Sequence, residues 1–199
     1  MYASIWNWEK VSNTIKKLKG KLGFPNKDEL KFLGFRLNLL NGDVYDEYLL
    51  RDRSDIAPTI YFILHRYSVS QEEKETGHLI TFKQIYGGGL YFKTYENNVL
   101  KLLEREFSDD IDVLIETAKI LGGTEVRVED YDIAIKIYIL PLIPVYLVID
   151  LGDEEFPPLI NLFYDSSIRS FFTAEETSHL SELLTIRLIE LSRELKKQI

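Results

Sequence analysis

The stretch that decides the fold is Pro141-Leu142-Ile143-Pro144-Val145-Tyr146-Leu147-Val148-Ile149-Asp150, continuing as Leu151-Gly152-Asp153-Glu154-Glu155-Phe156-Pro157-Pro158. It opens with an uncharged, β-branched run and closes in an acidic turn ended by two prolines. Such a run is too short for a membrane helix and is bracketed by Pro and Gly, so it reads as a buried central strand. Three further strands are predicted around it: 125–128, 133–140 and 159–164. The connections are too short for crossover helices, which makes neighbours antiparallel.

Downstream, Thr173 and Glu176 form a capping box ahead of a long helix whose stripe is Leu180, Leu183, Leu184, Leu188, Leu191 and Leu195. Upstream, Asp109 or Asp110 caps a helix over 111–121 that stops at Gly122-Gly123. Another helix is predicted over 91–107, preceded by a short strand within 78–85 and by Gly87-Gly88-Gly89. Pro58 suits the first turn of a further helix, which carries Ile60, Phe62, Ile63, Leu64 and Tyr67.

The N-terminal part reads as a helix over 4–22, one helical turn over 28–33, and a hairpin of 35–39 with 44–50 about Asn41-Gly42. Trp6 and Trp8 cannot both face the same way, which assigns one to a rim or an interface. The predicted whole is a single α+β domain over 1–199. A mostly antiparallel sheet, the C-terminal meander, carries packed helices. Residues 1–56 form an elaboration of helix and hairpin, and 57–199 form the core.

Composition narrows the function. The chain has 199 residues and a formal charge of −8, against a protein that works by covering phosphates. Lys10, Lys16, Lys17, Lys19 and Lys21 read as a solvated helix face. With no cysteine there is no disulfide, thiolate zinc site, iron–sulfur ligation or cysteine nucleophile within this chain. No apolar run reaches the ~18–20 residues of a membrane span, and no secretion signal is read at the start. A cytoplasmic protein with neither nucleic-acid nor membrane partners is expected. No cofactor is identifiable.

Two stretches carry candidate chemistry. Gly87, Gly88 and Gly89 before a helix, with Tyr91 just inside it, are one recipe for an anion site. No Lys-Ser/Thr follows them and no G-x-G-x-x-G spacing exists, so neither nucleotide-binding signature is met. Asp153, Glu154 and Glu155 crowd a strand end near Asp150, with Asp165 at the far end of the next strand. Close carboxylates repel unless a cation or a proton relieves them, and oxygen ligands suit Mg²⁺ or Ca²⁺. They serve equally as caps of the Pro-Pro turn. Phe156, fixed by the prolines behind it, is a rigid docking point. His65, His78 and His179 form no paired motif, and no G-x-S-x-G elbow occurs.

Three blocks resemble the prokaryotic domain of unknown function family 3786. They are Gly77-His78-Leu79-Ile80-Thr81-Phe82-Lys83-Gln84 with Gly87-Gly88-Gly89-Leu90-Tyr91; Pro144 to Ile149 with Gly152 to Pro158; and Leu162-Phe163-Tyr164-Asp165-Ser166-Ser167 before Phe172-Thr173-Ala174-Glu175-Glu176. The resemblance runs from about Tyr61 to the end of the last helix. Where that family carries Trp-x-Gly before the acidic block, this chain has Asp150-Leu151-Gly152. The resemblance implies a fold and a site rather than an activity. The first expectation is a non-catalytic binding or accessory protein for a small ligand or protein partner, using Gly87, Gly88, Gly89, Tyr91, Asp153, Glu154, Glu155 and Phe156. The alternative is a metal-dependent enzyme with Asp153, Glu154 and Glu155 as ligands. A homo-oligomer built through the first helix is a third.

Overall fold

The computed structural model describes residues 5–153 and 155–198. Its larger sheet is formed by β5 (Leu79–Thr81), β6 (Thr124–Glu125), β7 (Ile133–Leu140), β8 (Ile143–Asp150) and β9 (Leu159–Asp165), in the order β5-β9-β8-β7-β6. Every pairing is antiparallel, as short connections require. β8 lies at the centre, and all of its residues except Asp150 are buried. It pairs Val145 with Tyr164 and Asp150 with Leu159, so the acidic loop hangs from one rim of the sheet. The strand read at 125–128 ends after Glu125. Asp130 takes a left-handed φ of 69°, and the chain folds back so that Val126, Val128 and Tyr131 pack on the outer face of the sheet.

The N-terminal part begins with α1 (Trp8–Ile15), shorter than the predicted 4–22. Asn7 caps it by accepting from the Lys10 amide at 3.2 Å, and a 3-10 turn over Lys16–Leu18 ends it. The single helical turn expected at 28–33 is instead strand β1 (Glu29–Phe32). It pairs with β2 (Phe35–Asn38), followed by β3 (Val44–Asp46) and β4 (Arg51–Asp52), in a four-stranded antiparallel meander. The decisive feature is the Leu33-Gly34 pair, with φ of 49° and 75°. Two successive positive angles make the tight turn that matches strand twist. The β2–β3 hairpin lies where Asn41-Gly42 predicts it. Trp6 and Trp8 both pack on α2 (Ala57–Ser68): Trp6 lies 4.8 Å from Phe62 and Trp8 5.6 Å from Tyr61, ring centre to ring centre.

The remaining helices cover the inner face of the larger sheet. α3 (Gly88–Tyr95), a π turn over Glu96–Leu100 and α4 (Lys101–Phe107) make one continuous helical segment. Next come α5 (Ile111–Ile120), a short α6 (Ile168–Phe171) and α7 (Ala174–Gln198). The α7 stripe is buried at Leu180, Leu183, Leu184, Leu188 and Leu191, within a hydrophobic cluster that also takes in Val11, Leu37, Ile63 and Ile149. The Glu176 carboxylate accepts from the Thr173 amide at 2.9 Å, one arm of the predicted capping box, and also from Arg66 at 2.6 Å. At the sheet's centre the Tyr164 hydroxyl lies 3.0 Å from that of Tyr95 and 2.7 Å from Ser181, joining β9 to α3 and α7 through buried hydroxyls.

One residue on the α7 stripe is charged. Arg187 sits among the leucines with no exposed surface and forms a bidentate pair with the equally buried Asp46 at the end of β3. Its Nε donates to the Leu33 carbonyl at 2.9 Å, and Phe35 packs on its guanidinium. The Asp46 carboxylate also accepts from the amides of Tyr48 and Leu49 and from Arg53, which itself bonds Glu190 at 2.8 Å. This knot fastens the N-terminal sheet to the last helix. A side chain at Gly34 would collide with both Tyr48 and Arg187.

Candidate functional site

The β8–β9 loop is shaped by its own residues. The Asp150 carboxylate accepts from the Gly152 amide at 3.1 Å, and that of Asp153 accepts from the amides of Glu155 and Phe156 at 2.8 and 2.9 Å. This is the usual way an aspartate side chain closes a turn on its own backbone. Gly152 has a φ of 71°, and a Cβ there would lie 2.3 Å from the Phe156 carbonyl, so only glycine fits. Pro157 and Pro158 then hold Phe156 outward, 66% exposed.

Between this loop and α4 lies a cleft of about 410 Å³, lined by Glu104, Ser108, Asp150, Gly152, Phe156, Pro157, Pro158 and Leu159. Its size suits a small ligand or a single inserted side chain. Among the described residues that line it, Glu104 and Asp150 carry carboxylates and none carries a cation. The Glu104 carboxyl has no hydrogen-bond or ion-pair partner among the described residues. Burial holds its pKa above the ordinary glutamate value, against a modest pull from Lys101 and with a push from Glu96. The Ser108 hydroxyl is occupied, donating to the Glu104 carbonyl at 2.6 Å. A site of this make-up, anionic with a proline and aromatic wall, complements a cation carried on an apolar stem.

Of the residues singled out from sequence, Phe156 lines this cleft. Asp153 and Glu155 lie on the loop beside it, and Glu154 lies outside the described residues. No group of three His, Asp or Glu side chains among the described residues is arranged to share a metal ion. Asp165 is fully buried, and its carboxylate is taken up by the amides of Thr76, Gly77 and Ser167. His65 is half-buried, with its pKa lowered by burial and then by Arg66. Its Nδ1 has no hydrogen-bond partner among the described residues.

The glycine turn lies elsewhere. Gly88 to Phe107 is one helical segment, so the turn and Glu104 of the acidic cleft stand about 24 Å apart along it at a rise of about 1.5 Å per residue. The two stretches do not converge. The turn has its own structural reasons: Gly87 takes a φ of 84°, and a Cβ on Gly88 would lie 2.3 Å from the Phe82 carbonyl. The amides of Leu90 and Tyr91 donate to the Gly87 carbonyl and that of Gly88 to Ile85, which leaves little for an anion. Tyr91 is 39% exposed beside Leu90 and Tyr86.

Sequence reading missed Glu104 and Ser108. Their one signal is position: Glu104 directly follows Leu103 and stands three residues before Phe107, at the edge of the buried stripe of its helix.

The chain matches the profile of a family described as "Domain of unknown function (DUF3786)" over residues 15–187. It belongs to the DUF3786 family. The DUF3786 match begins well upstream of Tyr61, so it takes in the four-stranded N-terminal sheet as well as the acidic cleft, and it reaches Arg187 on α7. No curated protein and no solved structure matches the chain. None of its helices, among the described residues, is long and apolar enough to cross a membrane.

Proposed function

We propose that this DUF3786 chain is a non-catalytic binding protein whose acidic cleft receives a cationic group, an amine or guanidinium, carried by a small ligand or a protein partner. The observation that carries this reading is Glu104: a carboxyl without a partner among the described residues, raised in pKa by burial, sharing a cleft with Asp150. A cation entering there relieves an unfavourable arrangement of charge, and the Phe156-Pro157-Pro158 wall supplies apolar contact at small entropic cost because the prolines fix it.

The metal-dependent alternative, with Asp153, Glu154 and Glu155 as ligands, draws less support. The Asp153 carboxylate already accepts from two loop amides. Among the described residues lining the cleft, Ser108 carries a hydroxyl, and it donates to a backbone carbonyl rather than standing beside a base.

Calorimetric titration with N-acetyl-lysine methylamide and with spermidine tests the reading. Saturable binding is expected, weakened about tenfold by Glu104→Gln and restored by Glu104→Asp in part. Heat that is not saturable, or affinity indifferent to Glu104→Gln in a variant with unchanged circular dichroism, refutes it. Raising the thermal midpoint with millimolar Mg²⁺ or Mn²⁺ instead, in a manner lost with Asp153→Asn, favours the metal-dependent enzyme.

A further inference from the structure

A second cleft lies on the other side of the large sheet's length, where β7 turns into β8. It measures about 760 Å³, within the range of small-molecule sites, and is lined by residues of the 17–25 loop and of the end of α2. The segment 16–27 has five lysines and no acidic residue in a chain with 32 acidic and 24 basic side chains. Of these lysines, Lys19 pairs with Asp28 and Lys16 lies over the Trp8 ring. Lys17 and Lys21 both line the cleft, and neither has an ion-pair partner among the described residues. Among the described lining residues Glu72, on the opposite lip, is the one acidic side chain against Lys17 and Lys21, so the lining is net positive.

The backbone of this loop is held in place. Leu22 and Gly23 take φ of 47° and 81°, an arrangement costly for a leucine, and one that persists only where the surroundings enforce it. They do so here. A Cβ on Gly23 would lie 2.5 Å from Pro141, so the turn is seated against the β7–β8 turn. The Tyr67 hydroxyl, on α2, donates to the Leu22 carbonyl at 2.9 Å and accepts from the Leu142 amide at 3.2 Å. The amides of Leu22 and Gly23 donate to no group among the described residues. Both N–H groups are therefore open to an acceptor, and successive backbone amides in a turn are one recipe for an anion site. Leu18, Leu22, Phe24 and Pro25 supply an apolar lining beside it.

We infer that this cleft is a binding site for a small organic anion, its phosphate or carboxylate held between Lys17, Lys21 and the Leu22–Gly23 amides and its apolar body against Phe24 and Pro25. The lysine run is then more than a solvated surface. The proposal is independent of the acidic cleft, which lies at the opposite end of β8.

The test is an amide chemical-shift titration of the full ¹⁵N-labelled chain with phenyl phosphate, benzoate and inorganic phosphate. Phenyl phosphate or benzoate is expected to give saturable shifts centred on Leu22 and Gly23. Whichever of the two binds more tightly names the anionic group. Inorganic phosphate, lacking the apolar body, is expected to bind about tenfold more weakly than phenyl phosphate. The double variant Lys17→Gln with Lys21→Gln, at exposed positions that leave the core untouched, should lose at least about tenfold in affinity, and Lys27→Gln should not. Shifts that never saturate, that survive the double variant, or that spread evenly over all lysine-bearing surface overturn the proposal. So does sedimentation with phosphatidylserine vesicles that depends on Lys17 and Lys21 when none of the three small anions binds, because the lysines then serve a membrane surface.

Discussion

Arg187 and Asp46, 141 positions apart in sequence, meet as a bidentate ion pair in which neither side chain has any exposed surface. Removing one partner from such a pair leaves the other charged and buried, which costs about 3–5 kcal/mol. Arg187→Met is therefore expected to lower urea stability by an amount in that range. Arg193→Met, six residues further along α7 at an exposed position, should change it by less than about 1 kcal/mol. Equal small losses in both variants would contradict the role assigned to the knot.

The same carboxylate sets an acid limit. Burial pushes the Asp46 pKa up, but Arg187 and the amides of Leu49 and Tyr48 outweigh it, and the net direction is down. Asp165 and Glu176 are likewise lowered, burial being outweighed by backbone amides in the first and by Thr173 and Arg66 in the second. A carboxylate lowered in the folded state contributes stability above its unfolded pKa, about 4, and loses it as pH falls through the folded value. The urea midpoint should hold from pH 7 to about 5 and fall steeply below about 4. Asp165→Asn should flatten that fall while lowering stability at neutral pH.

The glycine turn offers a contrast between neighbours. Gly88→Ala places a methyl group 2.3 Å from the Phe82 carbonyl, and a loss of about 1–3 kcal/mol is expected. Gly89→Ala meets nothing within 4 Å and should leave stability unchanged or raise it by up to about 1 kcal/mol, as alanine favours the helix. Thermal unfolding of the two variants side by side checks this. Equal destabilisation would mean that Gly89 is constrained by something other than the packing of this chain.

The buried hydroxyls give a fourth test. Tyr164→Phe removes the group that Tyr95 and Ser181 share, and Ser181 keeps its bond to the Thr177 carbonyl at 2.7 Å. Both lose that partner, but only the Tyr95 hydroxyl is left with none among the described residues, with an expected cost of about 1–3 kcal/mol. Because burial raises the pKa of both tyrosines, their ionisation in the folded protein should not appear in an ultraviolet titration before alkaline unfolding.

The parts of the fold that sequence reveals are those whose signals are local. β8 is legible from its unbroken apolar run, α7 from its leucine period, and the β2–β3 hairpin from Asn41-Gly42. β1 is not, because its turn uses a leucine at positive φ where propensity favours Asn, Asp or Gly. Arg187 stands three residues after Leu184, on the core stripe, but a charge there gives no hint of the aspartate that meets it from far away in the chain. The acidic loop is read as a loop at a strand end because Gly152 and the prolines mark it. Its opposite wall comes from α4, and a helix's choice of neighbour is set by tertiary packing that no single stretch encodes.

The most direct measurement is the pH titration of the Glu104 side-chain carboxyl by ¹³C NMR, alone and with N-acetyl-lysine methylamide. The free protein should show Glu104 titrating above the ordinary glutamate value, and the cationic probe should lower it, since a positive charge beside the carboxylate favours the ionised form. A Glu104 that titrates like an exposed glutamate and is unmoved by the probe would contradict a cation-binding cleft at the acidic loop.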